Sequence, residues 1–155
     1  MPTLRRHLPV HPASLSVKLD IQELPHIVVS ACMEVHRQVG TFLLREAYVE
    51  CLAHEFSMRE ILFRRDVPGS VTFKGRQVAG AYRFDFIVEN LLVVDVQTFD
   101  EEDRSLTERH KHRVSSLLRL SGFEVGMLVN FHAGDLRRGV KRLIVSDVEP
   151  ILRWR

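Results

Sequence analysis

The order of hydrophobic periodicities predicts a mixed α/β fold in which helices pack on a central sheet. Three observations carry it. Apolar residues recur twice at helical spacing between residues 24 and 56, and runs of period two follow from residue 61 to 99. One further helical stretch, 101–122, then separates those runs from two closing strands.

Residues 1–20, rich in Pro, His and Ser, read as an extension ahead of the domain. From Leu24 the positions Ile27, Val28, Ala31, Cys32 and Val35 keep to one helix face, and Gly40 supplies a stop. A second helix follows, with Leu43, Leu44, Ala47, Tyr48, Cys51, Leu52 and Phe56 inward and Glu50 and His54 outward. Next come ILFRRDV, then VTFKGRQVAGAYRFDFIV with a turn at Lys74-Gly75, then LLVVDVQTF, all with the signature of strands. Leu106, His110, Val114, Leu117, Leu118 and Ser121 form the third helical face, closed by Gly122. The strands FEVGMLVNF and GVKRLIV complete a domain spanning 21–146, and 147–155 form a tail containing Trp154.

The chain has 155 residues, enough for one domain to bury a core without disulfides or structural metals. Its two cysteines, Cys32 and Cys51, lie in helical patterns, where buried thiols are expected. Neither a membrane-spanning run nor a secretory signal is apparent, so the expectation is a cytoplasmic protein with no membrane partner. The net charge of +2 names no partner. Arg64-Arg65, Arg137-Arg138 and Lys141-Arg142 read individually as solvated surface.

Two aspartates stand out in the strand pair. In YRFDFIVENLLVVDVQ the even positions Tyr82, Phe84, Phe86, Val88, Leu92, Val94 and Val96 are apolar, so one face of the pair is expected in the core. An antiparallel hairpin keeps those residues together only if its loop holds an odd number of residues. Glu89-Asn90-Leu91, with Asn90 suited to a left-handed conformation, meets that condition. The register then sets Asp85 opposite Asp95, with Cβ atoms roughly 4.5–5.5 Å apart. Carboxylates so placed call for a cation, a shared proton or an arginine between them. Magnesium held by Asp85, Asp95 and the Val96 carbonyl is one solution, and partly solvated or salt-bridged aspartates are the other.

MEVHRQVG (33–40), LLREAYVECLAHEF (43–56), the strand pair 71–97 and LLRLSGFEVGMLVNF (117–131) together resemble the PD-(D/E)XK nuclease superfamily, and more closely its small bacterial GxxExxY proteins. The resemblance spans nearly all of 21–145. It implies a restriction-endonuclease-like core, with a mixed central sheet flanked by helices. It also implies a magnesium site on two acids and a lysine two residues after the second, which together position water and neutralise charge on a phosphodiester. Here the acids match Asp85 and Asp95, while the lysine position holds Gln97, which carries no charge.

Other positions depart too. The helix glutamate, three residues before Tyr48, is Arg45; Glu46 is adjacent but about 100° away around the helix. The glutamine of the later helix falls at Arg113 and a tyrosine at Leu117. Arg45, Asp85, Asp95, Gln97 and Arg113 sum to zero charge, so the expectation is that two guanidinium groups neutralise the two aspartates in place of a metal. The resulting functional expectation is an eroded, non-catalytic nuclease fold serving as a self-assembling or interaction module. A magnesium-dependent DNA nuclease is the alternative, with Glu46 replacing the lost glutamate and Arg45 and Arg113 on phosphate, and nucleic-acid binding without cleavage is the third.

Overall fold

The computed structural model describes residues 20–145. The expected extension, apart from Asp20, and the tail with Trp154 lie outside these residues. Helices α1 (Leu24–Val39) and α2 (Arg45–Met58) come first, followed by strands β1 (Phe63–Phe73), β2 (Arg76–Val88) and β3 (Leu92–Gln97). Helix α3 (Arg104–Ser121), strand β4 (Val125–Asn130), the short helix α4 (Leu136–Gly139) and strand β5 (Val140–Ile144) complete the chain. The strands form one sheet in the order β1-β2-β3-β4-β5. Only β3 and β4 are parallel, with α3 as their crossover; the other pairs are antiparallel.

Alternation along the central strands divides the core between two faces. Phe86, Val88, Val94, Val96, Met127 and Val129 pack with α1 and α2. Ile87 and Val93 pack with Val114 and Leu118 of α3 on the opposite face. Asp103 caps α3 by accepting from the backbone N–H groups of Ser105 and Leu106, and Pro25 occupies the first turn of α1, where a missing N–H costs nothing.

The strand pair keeps its expected register. Val88 pairs with Leu92 and Phe86 with Val94 across Glu89-Asn90-Leu91. Both Glu89 (φ 52°) and Asn90 (φ 55°) are left-handed, and the Leu91 N–H returns to the Val88 carbonyl at 3.0 Å. The Lys74-Gly75 turn also forms, with positive φ at both residues.

Four expectations need correction. Residues 63–73 are one strand, because β1 lies at the sheet edge, where Pro68 is tolerated without breaking a ladder between two neighbours. Gly69 faces Tyr82 there, and a Cβ would come 2.0 Å from the tyrosine ring, so only glycine lets the ring cross the strand. The apolar residues of β2 do not share one face: Phe84 and Tyr82 join the α3 side, while Phe86 and Val88 join α1 and α2. The change falls at Asp85, where β2 has already left β3 and where Asp66 of β1 has φ 51°. Asp85 and Asp95 consequently lie just past the last pair of the β2–β3 ladder rather than within it. Finally, α4 was not anticipated; Asp135 starts this single turn by accepting from the Arg137 N–H.

Candidate functional site

Four elements converge where β2 and β3 part. Asp85 comes from β2, Asp95 from β3, Arg45 from the first residue of α2 and Arg113 from the middle of α3. The two arginines reach the aspartates from opposite sides of the sheet. Arg45 donates through Nη2 to Asp85 Oδ1 and through Nε to the Val96 carbonyl at 2.9 Å. The other Asp85 oxygen accepts the Val96 N–H at 2.8 Å, so the side chain takes over a hydrogen bond that the ladder has given up. Arg113 Nη2 lies 2.5 Å from Asp95 Oδ1, and Gln97 Nε2 donates to Asp95 Oδ2 at 3.1 Å.

Burial differs between the pairs. The Asp95 side chain is 9% exposed and that of its partner Arg113 42%, whereas Asp85 and Arg45 stand at 18% and 32%. Burial outweighs the attraction of Arg113 and raises the Asp95 carboxyl above the ordinary range, and the charge on Asp85 pushes it the same way. His110 borders this pair, with its imidazole stacked on Phe99 at 4.8 Å. Burial and then the Arg113 charge lower its pKa.

The remaining predicted residues do different work. Glu46 is 77% exposed and lies 3.8 Å from Arg45, outside the reach of the aspartate pair's hydrogen bonds among the described residues. Tyr48 is fully buried away from the carboxylates: its hydroxyl donates to the Gly40 carbonyl at 2.6 Å and accepts the Leu43 N–H, closing the α1–α2 connection. Its ring stacks on Phe131 at 4.6 Å.

Sequence reasoning missed the polar clasp behind the site. The Asn130 amide holds the Phe99 backbone at both ends, accepting its N–H at 3.0 Å and donating to its carbonyl at 2.8 Å. His132 Nε2 lies 2.8 Å from the Leu43 carbonyl, and His36 Nε2 lies 2.9 Å from that of Ala133. The only hint was the polar Asn130 ending a buried apolar strand.

A family model described as the PD-(D/E)XK nuclease superfamily matches residues 22–143, most of the chain. The chain belongs to this superfamily. No curated protein and no solved structure gives a significant match. The five-stranded mixed sheet with helices on both faces is consistent with the superfamily's α/β fold, and Asp85 and Asp95 stand on its neighbouring strands β2 and β3.

The residues at that place do not fit the divalent cation that superfamily chemistry uses. A magnesium ion there needs carboxylate and carbonyl oxygens that can turn toward it rather than being paired with guanidinium groups. Both oxygens of each aspartate and the Val96 carbonyl already accept from protein donors, and two of the donors are guanidinium groups. Among the described residues no group of three His, Cys, Asp or Glu side chains is placed to hold a metal.

The raised Asp95 carboxyl has a measurable sign. A group that binds its proton more tightly when folded destabilises the fold as pH rises from its unfolded value through its folded one. Wild-type stability should therefore contain a component that falls across that window and stays lost at neutral pH. In Asp95→Asn this component should disappear, with Arg113 still bonded to the amide oxygen. Denaturant midpoints measured from acid to neutral pH check this; an unchanged profile would remove Asp95 as its source.

Proposed function

We propose that this chain is a GxxExxY-type member of the superfamily whose catalytic set has been replaced by internal ion pairs. It acts as a non-catalytic module that assembles with copies of itself or with another partner. The observation carrying this reading is Arg45, which occupies two of the three expected magnesium ligands at once, the Asp85 carboxylate and the Val96 carbonyl. Gln97 supports it from the other side. Its amide spends a donor on Asp95 and supplies none of the positive charge that a lysine brings to phosphate. No magnesium is required on this reading.

The reading places the protein in a bacterial cytoplasm, in keeping with two free cysteines. No helix of the described residues is long and apolar enough to cross a membrane.

Thermal unfolding in millimolar Mg²⁺ or Mn²⁺ tests the proposal. A cation that binds only the folded state at a hundredfold excess over its dissociation constant adds about 2.7 kcal/mol. The expected result is no rise in melting temperature with either ion. A rise that vanishes in Asp85→Ala would overturn the proposal in favour of a metal-dependent nuclease, and cleavage of DNA by the wild type would do the same.

A further inference from the structure

β2 pairs with β3 only from Phe86 to Val88, so β1 and β2 continue alone as a two-stranded ribbon. Residues 76–85 carry it over about 30 Å of extended chain, in the direction in which β3 runs. The pairs Val71↔Val78 and Phe73↔Arg76 share one side of the ribbon, and Thr72↔Gln77 occupies the other. Phe73 is 65% exposed and Val78 44%, so much of the apolar side is open to solvent among the described residues. A lone two-stranded ribbon is marginally stable in water, and one with an uncovered apolar side gains by docking.

Its charge is one-sided. No Asp or Glu occurs between Val67 and Phe84. Among the described residues neither Lys74 nor Arg76 forms an ion pair; the Lys74 ammonium lies over the Phe73 ring, 5.5 Å from its centre.

The same chain carries the complement at the end of the sheet where β3 stops. Asp100, Glu101 and Glu102 are exposed, and none has a cationic partner among the described residues. The Glu101 carboxylate accepts the Gly134 N–H, and His132 in that loop is bonded to Leu43. The α1–α2 connection thereby held presents Phe42, 97% exposed, and Leu44, 78% exposed. The ribbon tip offers apolar side chains beside unpaired cations, and the loop end offers apolar side chains beside unpaired carboxylates.

We infer that the ribbon tip of one copy docks on the loop end of a second copy, reciprocally, in a two-fold dimer. The inference rests on the interaction-module reading above and names its partner. A duplex nucleic acid would satisfy Lys74 and Arg76 but would leave Phe73, Val78, Phe42 and Leu44 in water.

Sedimentation of the full chain tests it by charge exchange. The wild type should dimerise, less strongly as salt rises. Lys74→Glu with Arg76→Glu, and separately Asp100→Lys with Glu102→Lys, should each weaken dimerisation by at least about tenfold. Mixing the two variants should restore it, because each ribbon then meets a loop end of opposite charge. Circular dichroism confirms that each variant is folded, and Phe73→Ser with Val78→Ser replaces a ribbon variant that is not. A monomeric wild type, a dimer indifferent to the ribbon variants, or a loss that mixing fails to restore overturns the inference. A loss confined to duplex binding overturns it in favour of nucleic acid. Magnesium titration does not involve these residues, so failure here is distinguishable from failure of the functional reading.

Discussion

Asp85→Ala is expected to lower the melting temperature by about 10 °C at neutral pH. The substitution removes the carboxylate that accepts from both Arg45 and the Val96 N–H. Arg45 keeps its bond to the Val96 carbonyl, but in a site only 32% exposed its charge is left with the more distant, solvent-exposed Glu46 carboxylate, 3.8 Å away, in place of its close counterion. Breaking a fully buried pair costs about 3–5 kcal/mol, and solvent screening at this exposure reduces that to about 2–3 kcal/mol.

The sign separates the two readings of the site. Where carboxylates face each other to hold a metal, removing one in the absence of metal relieves repulsion and raises stability. Here the carboxylate is the partner of a cation, so its removal lowers stability. Calorimetry of the metal-free protein reads that sign directly. A thermal cycle with Arg45→Ala and the double substitution isolates the coupling between the two side chains. A stabilised Asp85→Ala would mean that Arg45 does not neutralise the site.

Arg45→Glu should have the larger effect and should create a dependence that the wild type lacks. It removes the counterion of Asp85 and adds a third carboxylate beside it, so the metal-free variant is expected to lose about 4 kcal/mol or more. Mg²⁺ or Mn²⁺ should then raise its melting temperature, by the equivalent of about 2.7 kcal/mol at a hundredfold excess. If Arg113 still holds Asp95 too firmly to admit the ion, Arg45→Glu combined with Arg113→Gln should respond instead. Indifference of both variants to metal would show that the two aspartates do not form a cation site even when freed, and the replacement account would be wrong.

Except for α4 and the continuity of β1, the chain by itself determined the order of α1, α2 and α3 among the strands, the Lys74-Gly75 turn and the three-residue loop after Val88. Each depends on residues close in sequence, through hydrophobic period, turn chemistry or the parity of a hairpin. Comparison with a family picked out Arg45, Asp85, Asp95, Gln97 and Arg113 because their types depart from a pattern or keep to it.

Only the tertiary structure decided what those residues do to one another. Arg45 and Asp85 are 40 positions apart, and their contact depends on how α2 packs over the sheet and on where β2 leaves β3. Simple alternation put Phe84 beside Phe86, but Phe84 packs on the α3 side, the change coinciding with the left-handed backbone at Asp66 of the neighbouring strand. The same departure from the ladder freed the Val96 N–H for the Asp85 carboxylate. Tyr48, three residues after Arg45 in the family-like helix, was assigned by packing to the α1–α2 connection. Periodicity reports which side of an element meets the core. Strand divergence and helix packing determine which distant side chains meet, and no local pattern encodes them.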